Sequence, residues 1–197
     1  MIGMTGFSTR CCRSNSLLCA LAFVWSALLL LPFAAHAEGI EVREATLGIT
    51  ESGYVLEADF EIALTHTLEE VLNKGVSLYF LLEFELVRPR WYWFNEKVID
   101  TELQYRLSYN ALTRQYRVGI GNFYQNFSTL AGALEFMSRV RRRGELEPGV
   151  YRKEFAHTAA LRLRLDTSQL PKPFQLSALA SREWNVGSDW YRWTVGP

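Results

Sequence analysis

Two carboxylates, Glu83 and Glu85, interrupt the most apolar stretch of the chain, two residues apart. In a β-strand, residues at this spacing lie on the same face of the sheet. A pair of carboxylates there can act as general acid and general base when their surroundings separate their pKa values. The same residues can instead pair with Arg88 or Arg90, or face solvent and prevent edge-to-edge association. We favour the structural roles and keep a hydrolase using Glu83 and Glu85 as an alternative.

Tryptophans occur in two parts of the chain. One group follows a strand-breaking proline, Pro89, and the other lies near the C-terminus. Rings of this size usually build a core. Grouped beside a strand break, they can instead line a groove for a ligand or peptide, with arginines at its rim. The candidate binding residues are Arg88, Arg90, Trp91, Trp93, Trp184 and Trp190.

A run of arginines forms a second candidate, an anion patch. It follows apolar residues at helical spacing, so we predict that it closes a helix, where cations complement the negative end of the helix dipole. The functional alternative is a site for lipid phosphates or for an acidic partner surface. The residues are Arg139, Arg141, Arg142 and Arg143.

Several classes of chemistry have no motif in the sequence. It contains no Gly-rich phosphate loop, nucleophile elbow or metalloprotease helix. His66 has a helical spacing to Glu69 and Glu70, but no further metal ligands are near. We therefore predict no catalytic set, no metal site and no cofactor. The 21 basic residues balance 21 acidic ones, which argues against a nucleic-acid partner.

An alternation with a period of two runs from Val76 to Leu86 and predicts the central strand, because successive side chains of a strand point to opposite faces. Similar alternation predicts one hairpin over residues 40–64 and another over residues 103–120. In the first strand the apolar pattern changes phase by one residue at Arg43 and Glu44, which predicts a β-bulge there. Capping signals predict a short helix near residues 67–74, and apolar residues three or four apart predict an amphipathic helix near residues 127–142. The order of elements predicts a mainly β protein, an antiparallel β-sandwich, with a closed barrel as the second choice.

Charged residues alternate with apolar ones on two further predicted strands. Glu57, Asp59 and Glu61 alternate on one strand, and Arg162 and Arg164 on another. We interpret both sets as outward, solvated faces. Such neighbours can pair across strands, for a few tenths of a kcal/mol to about 1 kcal/mol.

The first 37 residues have the pattern of a secretory signal peptide. Arg10 and Arg13 give a positive start, residues 17–33 are mostly apolar, and residues 35–37 read Ala-His-Ala, so we expect cleavage after Ala37. All three cysteines lie in this segment, and the remaining chain has no thiol. The alternative is an uncleaved helix that anchors the protein at the membrane surface. We predict a single β-sandwich domain over residues 38–197, located in the periplasm.

Three motifs carry a resemblance to a known family: RPRWYW at residues 88–93, LDTSQLPKP at residues 165–173, and the segment between Trp184 and Trp190. From Ile40 to Thr194 the chain resembles a family of exported proteobacterial proteins of unknown function. The resemblance implies a periplasmic location and no recognised chemistry. It also implies a neighbouring membrane sensor, so a sensor ectodomain or another envelope protein is the expected partner.

These observations together predict a non-enzymatic binding module of the envelope. The membrane itself is a partner only if the N-terminal helix is retained. An envelope hydrolase using Glu83 and Glu85 is the alternative from a different functional class.

Overall fold

The computed structural model describes residues 39–50, 53–90, 92, 95–147 and 149–196. The predicted signal peptide, residues 1–37, lies outside this described part, as do Trp91 and Trp93. No helix in the described ranges combines the length and the apolar character that crossing a bilayer requires.

Two antiparallel sheets form the body of the described chain. One sheet has three strands in the order β1-β2-β7, and the other has six in the order β6-β5-β4-β3-β8-β9. The strands are β1 (Gly39–Ile49), β2 (Gly53–Ala63), β3 (Leu78–Arg88), β4 (Glu96–Asn110), β5 (Gln115–Ile120), β6 (Phe123–Phe127), β7 (Arg139–Glu145), β8 (His157–Leu165) and β9 (Tyr191–Val195). Both sheets are open, so the predicted sandwich is confirmed in preference to a closed barrel.

β3 lies near the middle of the six-stranded sheet, between β4 and β8, as predicted for the central strand. Its even-numbered side chains, from Leu78 to Leu86, are at most 2% exposed. They face the three-stranded sheet: the rings of Phe84 and Tyr54, the latter on β2, lie 5.9 Å apart. Each buried Leu or Phe of this strand stabilises the fold by about 1.5–3 kcal/mol relative to an exposed position. The odd-numbered side chains point to the opposite, outer face.

Both predicted hairpins are present. β1 pairs with β2, and the register shifts between Val42 and Glu44. This shift is the β-bulge expected from the change of phase in the apolar pattern, and it turns Ala45 towards the core. The second hairpin joins β4 to β5.

Three α-helices lie among the described residues: α1 (His66–Asn73), α2 (Leu130–Ser138) and α3 (Lys172–Ala180). α1 confirms the predicted short helix. Its N-cap is Thr65, whose hydroxyl accepts from the Leu68 N–H. α3 was not predicted from the sequence. It begins beside Pro171 and Pro173, and a proline in a first helical turn is compatible with a helix start.

The amphipathic helix predicted near residues 127–142 is shorter than expected. Phe127 ends β6, the helix runs only from Leu130 to Ser138, and Arg139 starts β7. Thr129 caps the helix by accepting from the Gly132 N–H at 3.2 Å. The prediction that Arg139, Arg141, Arg142 and Arg143 close a helix is therefore wrong: they alternate along an edge strand.

Candidate functional site

Glu83 is the centre of a charge network on the outer face of the six-stranded sheet. It lies on β3 opposite Arg162 of β8, and its carboxylate accepts hydrogen bonds from Arg162 and Arg164. The two bonds from Arg164 measure 3.1 Å and 3.3 Å. Only 13% of the Glu83 side chain is exposed. Two guanidinium groups, rather than water, therefore solvate this carboxylate.

The electrostatics of Glu83 make it a hydrogen-bond acceptor and not an acid. Burial would raise its pKa, but the hydrogen bonds and charges of Arg162 and Arg164 outweigh burial and lower the pKa below its ordinary value. Glu85, two residues further along β3, accepts from Lys97 at 2.9 Å. The hydrogen bonds that Lys97 donates to Glu85 and Asp100 raise the pKa of Lys97 above its ordinary value. Glu83 is therefore not held protonated, as a general acid at neutral pH must be.

Trp190 covers one side of this network. The guanidinium carbon of Arg162 lies 4.5 Å from the centre of the tryptophan ring, and that of Arg192 lies 6.0 Å from it. Arrangements of this kind are cation–π interactions, worth about 0.5–2 kcal/mol depending on exposure. Trp190 is half-buried, so one part of the ring packs and another part remains available.

The segment before Trp190 is fastened to β8. Gly187 forms an isolated bridge with Arg164, and the N–H of Leu163 donates to the Ser188 hydroxyl at 3.1 Å. A Cβ at position 187 would lie 2.9 Å from Cβ of Arg164, so this close approach requires glycine. These contacts hold the tryptophan over the sheet.

A similar arrangement lies on the other half of the same face. Arg106 on β4 stacks on Tyr79 with the guanidinium carbon 5.7 Å from the ring centre, and Arg117 on β5 lies 6.0 Å from Tyr124 of β6. Tyr124 lies against Gly119: a Cβ there would be 2.9 Å from the tyrosine ring. Arg106 and Arg117 have no carboxylate partner in the described ranges; Ser77 and Asn126 accept their hydrogen bonds.

We call this surface the arginine–aromatic face. All its members point outward from the six-stranded sheet, and four arginines stack on three aromatic rings. They are Tyr79, Arg106, Arg117, Tyr124, Arg162, Trp190 and Arg192. Only Trp190 and the outward position of Arg162 were identified from the sequence. The other members became visible through strand register, since Arg106 lies directly opposite Tyr79, and Gly119 lies opposite Tyr124.

Arg88 and Arg90 lie away from this face, where β3 ends. Both donate to the carboxylate of Glu96, and the guanidinium of Arg88 lies 5.5 Å from the Phe155 ring centre. The side chain of Arg88 is only 14% exposed. Its contacts are therefore mainly with the protein itself.

His157 lies beside the Arg88 cluster and is fully buried. Its Nδ1 lies 2.8 Å from the carbonyl oxygen of Phe155, and its ring stacks on Tyr151 with centroids 4.7 Å apart. Its Nε2 has no hydrogen-bond partner in the described part of the chain. Burial lowers the pKa of His157, and the nearby charge of Arg88 adds to this, so the ring is neutral at pH 7.

Trp184 lies at the opposite end of the sandwich from Arg88. It is 4% exposed and packs on Phe174 of α3. The segment that follows it is bonded to the end of β8 that lies opposite Phe80. Phe80 and Arg88 are about 26 Å apart along β3, at roughly 3.3 Å per residue. The structure therefore does not bring Trp184 together with Arg88 or Arg90, and Trp91 and Trp93 remain outside the described residues.

The four arginines of the predicted anion patch lie on β7, with side chains on both faces. Arg139 pairs with Glu135 at 2.8 Å, and Arg141 lies 3.8 Å from Glu57. Arg139 and Arg141 border a groove of about 830 Å³ between the three-stranded sheet and α2. The groove also presents Glu44, Glu57, Asp59 and Glu135, so its lining is mixed in charge. Within the described ranges, no group of three or more acidic or histidine residues is placed to hold a metal ion.

Comparisons with known proteins give one match. The family model named domain of unknown function (DUF4390) matches residues 37–194. No curated protein and no solved structure matches the chain.

Proposed function

The chain belongs to the DUF4390 family, and we propose that it is a non-enzymatic binding module that docks a protein partner on the arginine–aromatic face. The observation that carries this proposal is the set of four arginines stacked on Tyr79, Tyr124 and Trp190 across one open sheet face. Tryptophan, tyrosine and arginine are the residues that most often dominate binding energy at protein interfaces. Stacking also pre-orders the long arginine side chains, which reduces the entropy lost on binding.

The charges on this face favour an acidic partner surface. Arg106, Arg117 and Arg192 have no ion-pair partner among the described residues, whereas Glu83 is already occupied by two guanidinium groups. An unpaired, stacked guanidinium can still donate to a carboxylate in a bidentate geometry. The hydrolase alternative has no comparable support, because Glu83 has a lowered pKa and Glu85 is bound to Lys97.

We further propose that the protein is exported to the periplasm. The support is the sequence of residues 1–37, with Arg10 and Arg13 before an apolar run and Ala-His-Ala at its end. The ectodomain of a membrane sensor is the partner to test first, as the resemblance described above implies. The membrane-anchored alternative is decided by sequencing the N-terminus of the protein isolated from cells.

Site-specific photo-crosslinking tests the proposed face. A crosslinking amino acid replaces Gln104, which is exposed on the outer face of β4, or Thr46, which is exposed on the outer face of the three-stranded sheet. In cells that express the full chain, we expect a protein partner to be captured from position 104 and not from position 46. Equal capture from both positions, or none from position 104 in a folded protein, would show that the proposal is wrong.

A matched pair of variants tests the role of the unpaired arginines. Replacing Arg106 and Arg117 together by alanine should reduce capture from position 104 by at least about tenfold, since two interface arginines of this kind contribute more than about 1.4 kcal/mol. The control, Arg43→Ala, removes an exposed arginine from the other sheet. It should leave capture unchanged.

A further inference from the structure

The two sheets of the sandwich have unequal widths, and part of the larger sheet's inner face is uncovered. One cross-strand row of that face runs through Phe80, Tyr105, Ile120 and Phe123. Phe80 and Tyr105 are 0% and 4% exposed, Ile120 is half-buried, and Phe123 is 83% exposed. Burial is therefore lost stepwise along a single row. We call Ile120 and Phe123 the uncovered step.

The three-stranded sheet ends directly before this step. β1 packs against β8, Tyr54 of β2 packs on Phe84 of β3, and Arg142 of β7 lies near Tyr105 of β4. The three strands of the small sheet, β1, β2 and β7, therefore lie over β8, β3 and β4 of the large sheet. Beyond β7, α2 covers part of β5 and β6, but it leaves the uncovered step half-buried at Ile120 and exposed at Phe123.

β7 has an open edge at that position. In the described residues its strand pairing is with β2 alone, so the backbone groups on its other side are available to another strand. β7 is seven residues long, from Arg139 to Glu145. An added strand would lie about 4.8 Å from β7 and cover the step.

Arg142 of β7 places a charged side chain beside the same part of the core. It lies opposite Leu56, which is fully buried, and therefore points into the sandwich. Its Nε is buried and has no hydrogen-bond partner among the described residues. Its charge lies close enough to Tyr105 to oppose the burial that raises the pKa of that tyrosine to about 12. A buried donor of this kind is costly unless an acceptor is supplied.

We propose that the edge of β7 accepts an extended segment of a partner protein as a fourth strand of the small sheet. The segment would alternate apolar with acidic residues. Its apolar side chains would cover Ile120 and Phe123, and its carboxylates would face Arg141 and Arg143, which point outward. Main-chain pairing provides affinity in such strand addition, and the alternating side chains provide specificity. This site is separate from the arginine–aromatic face and does not depend on it.

A second copy of this chain fits the edge poorly. β7 reads Arg-Val-Arg-Arg-Arg-Gly-Glu. Antiparallel pairing of this strand with itself places arginine opposite arginine in every register that pairs most of its length, and like charges directly opposite are destabilising. An acidic segment from another protein has the complementary charge.

A peptide of defined sequence tests the proposal. The probe is a dye-labelled, capped heptapeptide of alternating valine and glutamate, added to the protein purified from cells that express the full chain. We expect saturable binding by fluorescence anisotropy and slowed hydrogen exchange of the amides in residues 139–145. We expect the same peptide with lysine in place of glutamate to bind at least about tenfold more weakly. Absence of saturable binding up to about 1 mM, or equal binding of the lysine peptide, would overturn the proposal.

Two exposed apolar residues provide matched variants that leave the core intact. Phe123→Ser removes the tip of the uncovered step and should weaken peptide binding at least about fivefold, because a phenylalanine buried on binding is lost. Leu112→Ser changes a residue that is 96% exposed in the β4–β5 turn and should have no effect. Equal effects of the two would contradict the proposed position of the strand.

Crosslinking identifies any other occupant. A photo-crosslinker at Gln125, on the same face of β6 as Phe123, should capture the bound heptapeptide. Capture of a second copy, or of residues 1–38 of the same chain, in place of the peptide would show that the edge has a different role.

Discussion

The outer faces of the two sheets contain the same types of residue but organise them differently. On the six-stranded sheet, Glu83 is 13% exposed and is held by two arginines, one of which lies under Trp190. On the three-stranded sheet, Arg43 pairs with Glu61 at side-chain exposures of 64% and 48%, and Arg141 lies 3.8 Å from Glu57 at exposures of 81% and 52%.

The difference follows from position in the sheet. Glu83 lies on a strand with neighbours on both sides and with a further strand beyond each neighbour, so side chains from several strands exclude water around it. On the small sheet, β1 and β7 are both edges, and their side chains have solvent on one side. Ion pairs that exclude water have larger effects on stability than exposed pairs, in either direction. Equal charge patterns in a sequence can therefore give an ordered surface in one sheet and a solvated surface in the other.

The largest expected effect tests this difference directly. Glu83→Gln removes the charge that two half-buried guanidinium groups share, and it should lower the free energy of unfolding by roughly 1.5–3 kcal/mol. Glu57→Gln is the matched change on the small sheet and should alter it by less than about 0.5 kcal/mol. Urea denaturation of the two variants measures both values. A similar loss for both variants would contradict the contrast between the two faces.

A change of pH extends the comparison from the two outer faces to a buried position. His157 on β8 is fully buried and belongs to neither outer face. The pKa of His157 is lowered by burial, so the unfolded chain binds its proton at a higher pH than the folded protein does. Stability from this group is complete above about pH 6.5 and is lost as the pH falls below that value. We expect the free energy of unfolding to decrease by up to about 1.4 kcal/mol per pH unit over this window.

Variants of the two histidines in the described chain assign the pH effect. His157→Asn retains a donor for the Phe155 carbonyl and should remove the dependence that begins below about pH 6.5. His66→Asn changes an exposed histidine, 83% accessible, and should leave the dependence in place. Denaturation curves at several pH values measure this. If the slope survived in His157→Asn, another group would be responsible.

The sequence predicts the framework of this fold better than its surface contacts. The alternation in β3 and the phase change in β1 are local signals, since each depends on neighbouring residues in one strand, and both predictions are confirmed. The partnership of Glu83 with Arg162 joins residues 79 positions apart. Only the pairing of β3 with β8 determines it, and a single sequence does not contain that register.

The error in the predicted helix near residues 127–142 has a physical origin. Phe127, Leu130, Met137 and Val140 all pack towards the core, so their spacing imitates a helical stripe although they come from three different elements. The run after Ser138 does alternate, but Arg142 occupies an inward position where an apolar residue is expected. Because Arg142 is charged, the alternation of apolar residues that would identify this strand in the sequence is interrupted. Arg142 also marks the edge that we propose as a strand acceptor.

The smallest expected effect comes from the exposed ion pair between Arg43 and Glu61. Arg43 donates to Glu61 at 2.6 Å, yet both side chains are largely in water. Arg43→Ala should lower the midpoint of thermal unfolding by no more than about 2 °C, because exposed pairs contribute little. The difference from the unmodified protein should disappear at about 1 M salt, where charges are screened within about 3 Å. A larger shift that persisted at high salt would mean that the small sheet's outer face is ordered like that of the large sheet, and the contrast between them would then have to rest on the aromatic residues alone.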